Sequence, residues 1–148
     1  MIRFKIVTPE RSVVEEEIYQ ATLPVEGGEV TLLPNHIPYI GSLGAGEILF
    51  RRTPDGESFS LATSGGFVEF HDNTLTLLAD TAERAEDIDL TRAEEARQKA
   101  ERIMKERIHL DEEEYARVAA VLEKELARVR VARKHRSRKG FSAEDGTF

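Results

Sequence analysis

The residue types that usually catalyse reactions or bind metals occur in this chain without the spacing of a recognisable site. The sequence has no cysteine, and its four histidines are scattered without the spacing of metal ligands. It lacks a GxxxxGK(S/T) phosphate loop and a glycine-rich dinucleotide motif. Gly65-Gly66 is more typical of a β-bulge or a close backbone approach, and Ser64 beside it lacks the GxSxG pattern of a nucleophile. We therefore predict no catalytic residue and no metal site.

Charge is distributed unevenly along the chain. Residues 1–88 carry 6 Lys/Arg and 15 Asp/Glu, a net −9, whereas residues 89–148 carry 15 and 13, a net +2. Such a basic excess attracts polyanions or acidic protein surfaces, while the acidic first half argues against nucleic-acid binding by the whole chain. The excess is concentrated near the C-terminus, in Arg128, Arg130, Arg133, Lys134, Arg136, Arg138 and Lys139.

The first 87 residues have the two-residue period of half-buried strands. Ile2, Phe4 and Ile6 alternate with charged residues, and turn sequences at Pro54-Asp55-Gly56 and His71-Asp72-Asn73 predict hairpins. We expect an antiparallel β-sandwich over residues 1–87. Two prolines stiffen the stretch from Gly28 to Pro38, which is either a plain strand connection or a rigid contact surface.

The remainder of the chain has helical spacing, so the predicted fold class is α+β. Thr91 with Glu94 matches a capping box and predicts a helix from about Arg92, and Asp111 with Glu114 predicts the start of a second helix. The short connection between them favours an antiparallel two-helix hairpin over residues 88–136. Residues 137–148 lose the pattern and are predicted to form a flexible tail. No apolar run reaches the roughly 18–20 residues of a transmembrane helix, so we expect a soluble intracellular chain.

Three motifs in this order resemble the epsilon subunit of bacterial F-type ATP synthases. They are Gly28-Glu29 with Pro34, His36 and Pro38; Ser64–Glu69, SGGFVE; and Ala79–Asp89, ADTAERAEDID. The resemblance covers about residues 2–135. It departs from the family pattern at Thr31 and Asn35, which stand where glycines are common.

The resemblance implies a non-catalytic rotor subunit in the central stalk of a proton-translocating ATP synthase. It implies that the sandwich binds the gamma subunit and the c-ring, and that the helices inhibit ATP hydrolysis when they extend toward the alpha/beta catalytic head. The implied location is peripheral, on the cytoplasmic face of the bacterial inner membrane, with membrane contact only through the complex. The resemblance assigns Glu29, Pro34, Asn35, His36 and Pro38 to the c-ring and gamma contact loop, and Arg128, Arg130, Arg133, Lys134 and Arg136 to the inhibitory segment.

No cofactor is required, but the resemblance also implies ATP as a regulatory ligand. The family's ATP-binding motif matches Ile88, Asp89, Arg92 and Ala93, with Glu83 as its upstream acidic residue. A cation at a helix N-terminus is unfavourable without an anionic partner, which a phosphate, Asp87 or Asp89 would supply. Two further functions stay open at this point: a nucleic-acid-binding protein that uses the basic segment, and a free ATP sensor outside any complex.

Overall fold

A computed structural model describes residues 1–106 and 110–144 of the chain. Within these residues eight strands precede two helices, and the predicted order of a β unit followed by two helices is confirmed. The strands are β1 (Ile2–Val7), β2 (Ser12–Ile18), β3 (Gln20–Val25), β4 (Gly28–Leu32), β5 (Tyr39–Leu43), β6 (Gly46–Arg51), β7 (Ser58–His71) and β8 (Thr74–Arg84); a 3-10 turn (Ala85–Asp87), α1 (Leu90–Lys105) and α2 (Glu112–Glu144) follow. Neither described helix is both long enough and apolar enough to span a membrane.

The strands form one continuous sheet that folds over on itself as a sandwich. The strand order is β2-β1-β8-β7-β5-β3-β4, and β6 pairs with both β3 and β7. The pairs are antiparallel except β1 with β8, which are parallel. A parallel pair requires a long connection between its strands, and strands β2 to β7 form that connection. Alternating residues from both layers bury a continuous apolar core that includes Phe4, Phe50 and Phe70. The α+β prediction is confirmed.

Glycines set the bend in the long strand β7. The register of the β7–β8 pair shifts on each side of Gly65, so the predicted bulge is confirmed. Gly66 has φ of 144°, and a Cβ there would lie 2.0 Å from the carbonyl oxygen of Leu78. Only glycine fits that close approach. Through the bend, β7 pairs with β6 along its first half and with β5 along its second half.

Both helices begin at aspartate caps. The Asp89 carboxylate accepts a hydrogen bond from the Arg92 backbone N–H at 3.1 Å, so α1 starts earlier than predicted and the Thr91 capping box is wrong. Burial of Ile88 fixes the chain just before the cap and sets this start. At α2, Asp111 and Glu114 exchange backbone–side-chain hydrogen bonds of 2.8 and 3.2 Å, which confirms the second predicted cap.

Helix α2 continues well past its predicted end at residue 136. Residues 137–144 are helical rather than irregular, and residues 145–148 of the predicted tail lie outside the described part. Arginine, lysine and alanine favour helix without needing a packing partner, so the loss of an apolar stripe after Ala132 does not end the helix. The predicted boundary at 87/88 falls where the 3-10 turn ends.

Candidate functional site: the seam between the sandwich and helix α2

The hairpin packs on the sandwich through a small second apolar cluster, which we call the seam. Ala62 of β7 and Ala85 of the 3-10 turn face the two helices there. Most seam side chains are alanine or valine, so each buries little area and contributes little by the hydrophobic effect. The full set of buried members is Ala62, Ala85, Ile88, Ala93, Val129, Val131 and Ala132.

Arg128 of α2 forms a two-sided ion pair beside the seam. Its Nε donates to Glu83 of β8 at 2.8 Å, and its Nη1 donates to Glu125, one helical turn earlier, at 2.8 Å. The Glu125 side chain is only 7% exposed. Burial tends to lower the pKa of Arg128, but the hydrogen bonds and charges of the two carboxylates outweigh it and raise the pKa. The guanidinium therefore stays charged and holds α2 against β8.

Two further contacts attach α2 at its C-terminal half. Lys134 Nζ donates to Glu47 of β6 at 2.8 Å, and Ser60 Oγ supports the same carboxylate at 3.2 Å. Arg133 pairs with Glu94 of α1. We call Arg128–Glu83 and Lys134–Glu47 the docking ion pairs, because they join α2 to β8 and β6 of the sandwich. Arg133–Glu94 joins α2 to α1 within the hairpin.

The predicted inhibitory segment therefore divides in two. Arg128 and Lys134 pair with the sandwich and Arg133 pairs with α1, whereas Arg130 and Arg136 are exposed and have no described ion pair. The acidic partners were not predicted. The spacing of neighbouring residues could not reveal these partners, because the three ion pairs join residues that are 39 to 87 positions apart in the sequence.

The residues of the implied ATP motif have different roles. Ile88 and Ala93 are buried in the seam, and Asp89 caps α1. Arg92 is exposed at the start of α1, while Glu83 bonds to Arg128. Among the described contacts, none joins the Arg92 side chain to Glu83. The Asp89 carboxylate accepts from the backbone N–H of Arg92, and no described ion pair joins the Arg92 side chain to Asp87 or Asp89.

A cleft of about 330 Å³ lies beside Glu83. Three cationic residues line it: Arg11 from the turn before β2, and Lys124 and Arg128 from α2. Since Arg128 is already paired with Glu83 and Glu125, the cationic charge that would attract an anion to this cleft comes from Arg11 and Lys124. Arg11 and Lys124 were not predicted as site residues, since only the fold brings them to the end of β8.

The predicted contact loop is rigid and carries an apolar tip. Asn35 has φ of 66°, and its N–H donates to Asn73 Oδ1 at 2.6 Å, which ties the loop to the β7–β8 turn. The His36 ring meets the Phe70 ring edge-on, with centroids 5.8 Å apart. Ile37 is 74% exposed at the tip. Asn35 thus adopts the left-handed backbone conformation at a position where the family commonly has glycine.

Of the other residues predicted for the contact loop, the two prolines lie in the loop and the glutamate lies in a strand. Pro34 and Pro38 flank the tip, whereas Glu29 lies exposed in β4 opposite Pro24. Thr31 also lies in β4, and its hydroxyl hydrogen-bonds the Thr22 hydroxyl at 2.8 Å. The substitution at position 31 therefore alters a strand pair and leaves the loop tip unchanged.

An exposed apolar face continues from the loop along the sheet. Ile40 is 82% exposed, Phe67 64% and Leu78 55%, and Phe67 pairs with Leu78 across β7 and β8. We call these three residues the outer face. Sequence reasoning missed it, although Phe67-Val68 and Leu77-Leu78 place apolar residues on both sides of the strand.

Substituting Arg128 by methionine is expected to lower the free energy of unfolding by roughly 2–3 kcal/mol, because Glu125 would remain as a buried charge without its partner. Urea denaturation of the full chain measures this loss. Arg130→Met removes the same charge from an exposed position and should change stability by less than about 0.5 kcal/mol. Adding Glu125→Gln to Arg128→Met should recover part of the loss; no recovery would contradict the buried-charge explanation.

Comparison with known proteins agrees with this architecture. Residues 1–85 match the profile of the ATP synthase delta/epsilon chain beta-sandwich domain, and residues 86–133 match the profile of its long alpha-helix domain. A chain of the Euglena gracilis mitochondrial ATP synthase has the same fold, with a TM-score of 0.72, 20% identity, and coverage of 85% of this chain and 78% of that chain.

Relatives at higher identity extend over nearly the whole chain. The ATP synthase epsilon chain of Desulfitobacterium hafniense is 43% identical over 129 residues, which is 87% of this chain and 94% of that protein. The epsilon chain of Herpetosiphon aurantiacus is 42% identical over 137 residues, covering 93% and 98% respectively. These matches confirm the resemblance found in the motifs, and the chain belongs to the family of ATP synthase epsilon chains.

Proposed function

We propose that this accessory, non-catalytic epsilon subunit of an ATP synthase regulates its enzyme by reversible docking of α1 and α2. In the docked state the helices lie on the sandwich; in the extended state they reach the alpha/beta catalytic head and inhibit ATP hydrolysis. The observation that carries the proposal is the composition of the seam. It joins two units through small side chains and ion pairs, which separate at low cost.

The sandwich supports this proposal because its core is self-contained. All buried residues of its main apolar cluster come from strands β1 to β8. Departure of the helices would uncover only Ala62, Ala85 and Ile88 among the buried seam residues that precede α1. The sandwich can thus stay folded and attached to its partners while the hairpin moves, as a two-state switch requires.

The docking ion pairs make the two states mutually exclusive. Arg128, Arg133 and Lys134 are bound to acidic residues of this chain when docked. On extension Lys134 would lose Glu47 and, with Arg130 and Arg136, present basic charge that suits acidic surfaces of the catalytic head, while Arg128 would keep Glu125 as its partner. Charge contacts of that kind set register and association rate more than raw affinity.

Truncation tests the inhibitory role. Removing residues 89–148 should raise ATP hydrolysis by the assembled enzyme several-fold without loss of assembly, because the inhibitory helices are gone and the sandwich core is intact. Steady-state hydrolysis by enzyme reconstituted with full-length or truncated chain measures it. A chain shortened only after Gly140 serves as control and should retain inhibition. Equal hydrolysis with all three chains would remove the inhibitory role.

We infer that the outer face binds the gamma subunit and that the loop tip at Ile37 rests on the c-ring. Both are exposed and apolar, and the Asn35–Asn73 hydrogen bonds hold them at the same end of β7. Exposed apolar patches of this type mark protein interfaces. The complex would hold the chain peripherally at the cytoplasmic face of the bacterial inner membrane and couple proton flow to rotation.

Replacing Phe67 by glutamate should reduce co-purification with gamma at least tenfold, since it places a charge in the centre of the apolar contact. Val121→Glu is the matched control: Val121 is also an exposed apolar residue, but it lies on α2 away from the outer face. Co-purification that survives Phe67→Glu would show that gamma binds elsewhere.

We further propose ATP as a regulatory ligand of the docked state. Support comes from exposed Arg92 at the N-terminus of α1 and from the cationic cleft beside Glu83. Ile88 and Ala93 would contribute by shaping the seam, since both are buried, and Asp89 by fixing the start of α1. ATP would then bind α1 and α2 only when they are packed together, and so favour docking.

Calorimetry of ATP binding to the full chain tests the nucleotide proposal. Arg92→Ala should weaken binding about tenfold because a charge-assisted contact to a phosphate is lost. Arg102→Ala removes an exposed arginine from the last turn of α1 and should leave affinity unchanged within about twofold. Unaltered heat after Arg92→Ala would place any ATP site elsewhere.

A further inference from the structure

The C-terminal extension of α2 forms one wall of a second cleft, and the family profiles cover only the opposite wall. Its volume is about 710 Å³, and it lies between α2 and the β6–β7 hairpin. The α2 residues that line it are His135, Arg138 and Lys139, all beyond the last profile-matched residue, 133. Arg92 and Glu83 do not line it, so it is distinct from the proposed nucleotide site.

Nitrogen-bearing side chains line both walls of this cleft, Arg51 from the sheet and His135, Arg138 and Lys139 from the helix. His135 Nε2 is buried and has no hydrogen-bond partner among the described residues. Buried polar nitrogen atoms are nearly always bonded in folded proteins, so this nitrogen requires a partner: an acceptor if it carries the ring proton, and a donor if it does not. Arg51 is half-buried and lines the same cleft as His135. Its Nε donates to Ser58 Oγ at 3.0 Å, and no described hydrogen bond uses its two terminal nitrogens.

The charges of the cleft also favour an anion. Arg51, Arg138 and Lys139 outnumber Glu57 and Glu86, and both carboxylates belong to exposed residues. Phe59 offers no free ring for a flat ligand, because Arg52 lies 4.1 Å from its centroid and Phe50 stacks on it. The cleft therefore suits a compact acceptor-rich group better than an aromatic base.

We propose that this cleft binds a compact phosphate anion, of the size of phosphate or pyrophosphate, between β6–β7 and the end of α2. Arg51 contributes from the sheet, and His135, Arg138 and Lys139 contribute from the helix. Because the two walls separate when α2 leaves the sandwich, such an anion binds only the docked state. At ten times its Kd it would shift the docking equilibrium toward the docked state about elevenfold.

Titration of the full chain with inorganic pyrophosphate tests the cleft directly. Calorimetry should detect binding, and NMR should show a chemical-shift change at the His135 ring. Arg138→Gln should weaken binding about tenfold through loss of a charge-assisted contact. Arg130→Gln removes the same charge from an exposed position of α2 that does not line the cleft, and it should weaken binding less than twofold.

The outcomes separate this site from the nucleotide site and from general charge attraction. Equal weakening by Arg138→Gln and Arg130→Gln would overturn the proposal, because the anion would then respond only to net charge. ADP binding that depends on Arg92 but not on Arg138, with no pyrophosphate response at His135, would also overturn it while leaving the nucleotide proposal intact. Pyrophosphate binding that survives Arg92→Ala and fails with Arg138→Gln would establish the cleft.

Discussion

The bridge from Arg128 to Glu83 and Glu125 is the contact on which the docked arrangement depends. Glu125 lies on the same helix as Arg128, one turn away, whereas Glu83 lies on the sandwich. If α2 left the sandwich as proposed, Arg128 and Glu125 would therefore move together and remain paired in water. Such undocking would break one interaction with Glu83 but leave no buried charge without a partner, which lowers its cost.

The chain thus contains two regions of different stability. The sandwich core is built around large side chains such as Phe4, Phe50 and Phe70, whereas the buried seam residues are alanine, valine and a single isoleucine. Large side chains bury more apolar area, so the core resists opening more strongly than the seam. Local opening at the seam without unfolding of the sandwich follows from this difference in side-chain size.

Local patterns in the sequence predicted most of the fold, and long-range contacts account for what they missed. Alternation and turn residues located the strands, the Gly65-Gly66 bulge and the Asp111 cap, because each depends on neighbouring residues. The predicted start of α1 was wrong because burial of Ile88 favours Asp89, rather than Thr91, as the N-terminal cap. The Lys134–Glu47 pair joins residues 87 positions apart, so no local spacing could reveal it. The residues of the ATP motif were identified from the sequence, but only the fold shows that Ile88 and Ala93 lie in the seam, Asp89 caps α1 and Arg92 is exposed.

The proposed docking would not be controlled through the protonation of Arg128 at pH values near neutrality. The raised pKa of Arg128 means that the stabilisation is fully present below the ordinary arginine pKa and is lost only as pH rises through the higher folded value, far above neutrality. The Arg133 and Lys134 side chains are at least half exposed, so their pairs are screened by salt and contribute little each. Docking therefore rests on a small apolar seam and one partly buried bridge, and any ligand or partner that binds one state more tightly can shift it.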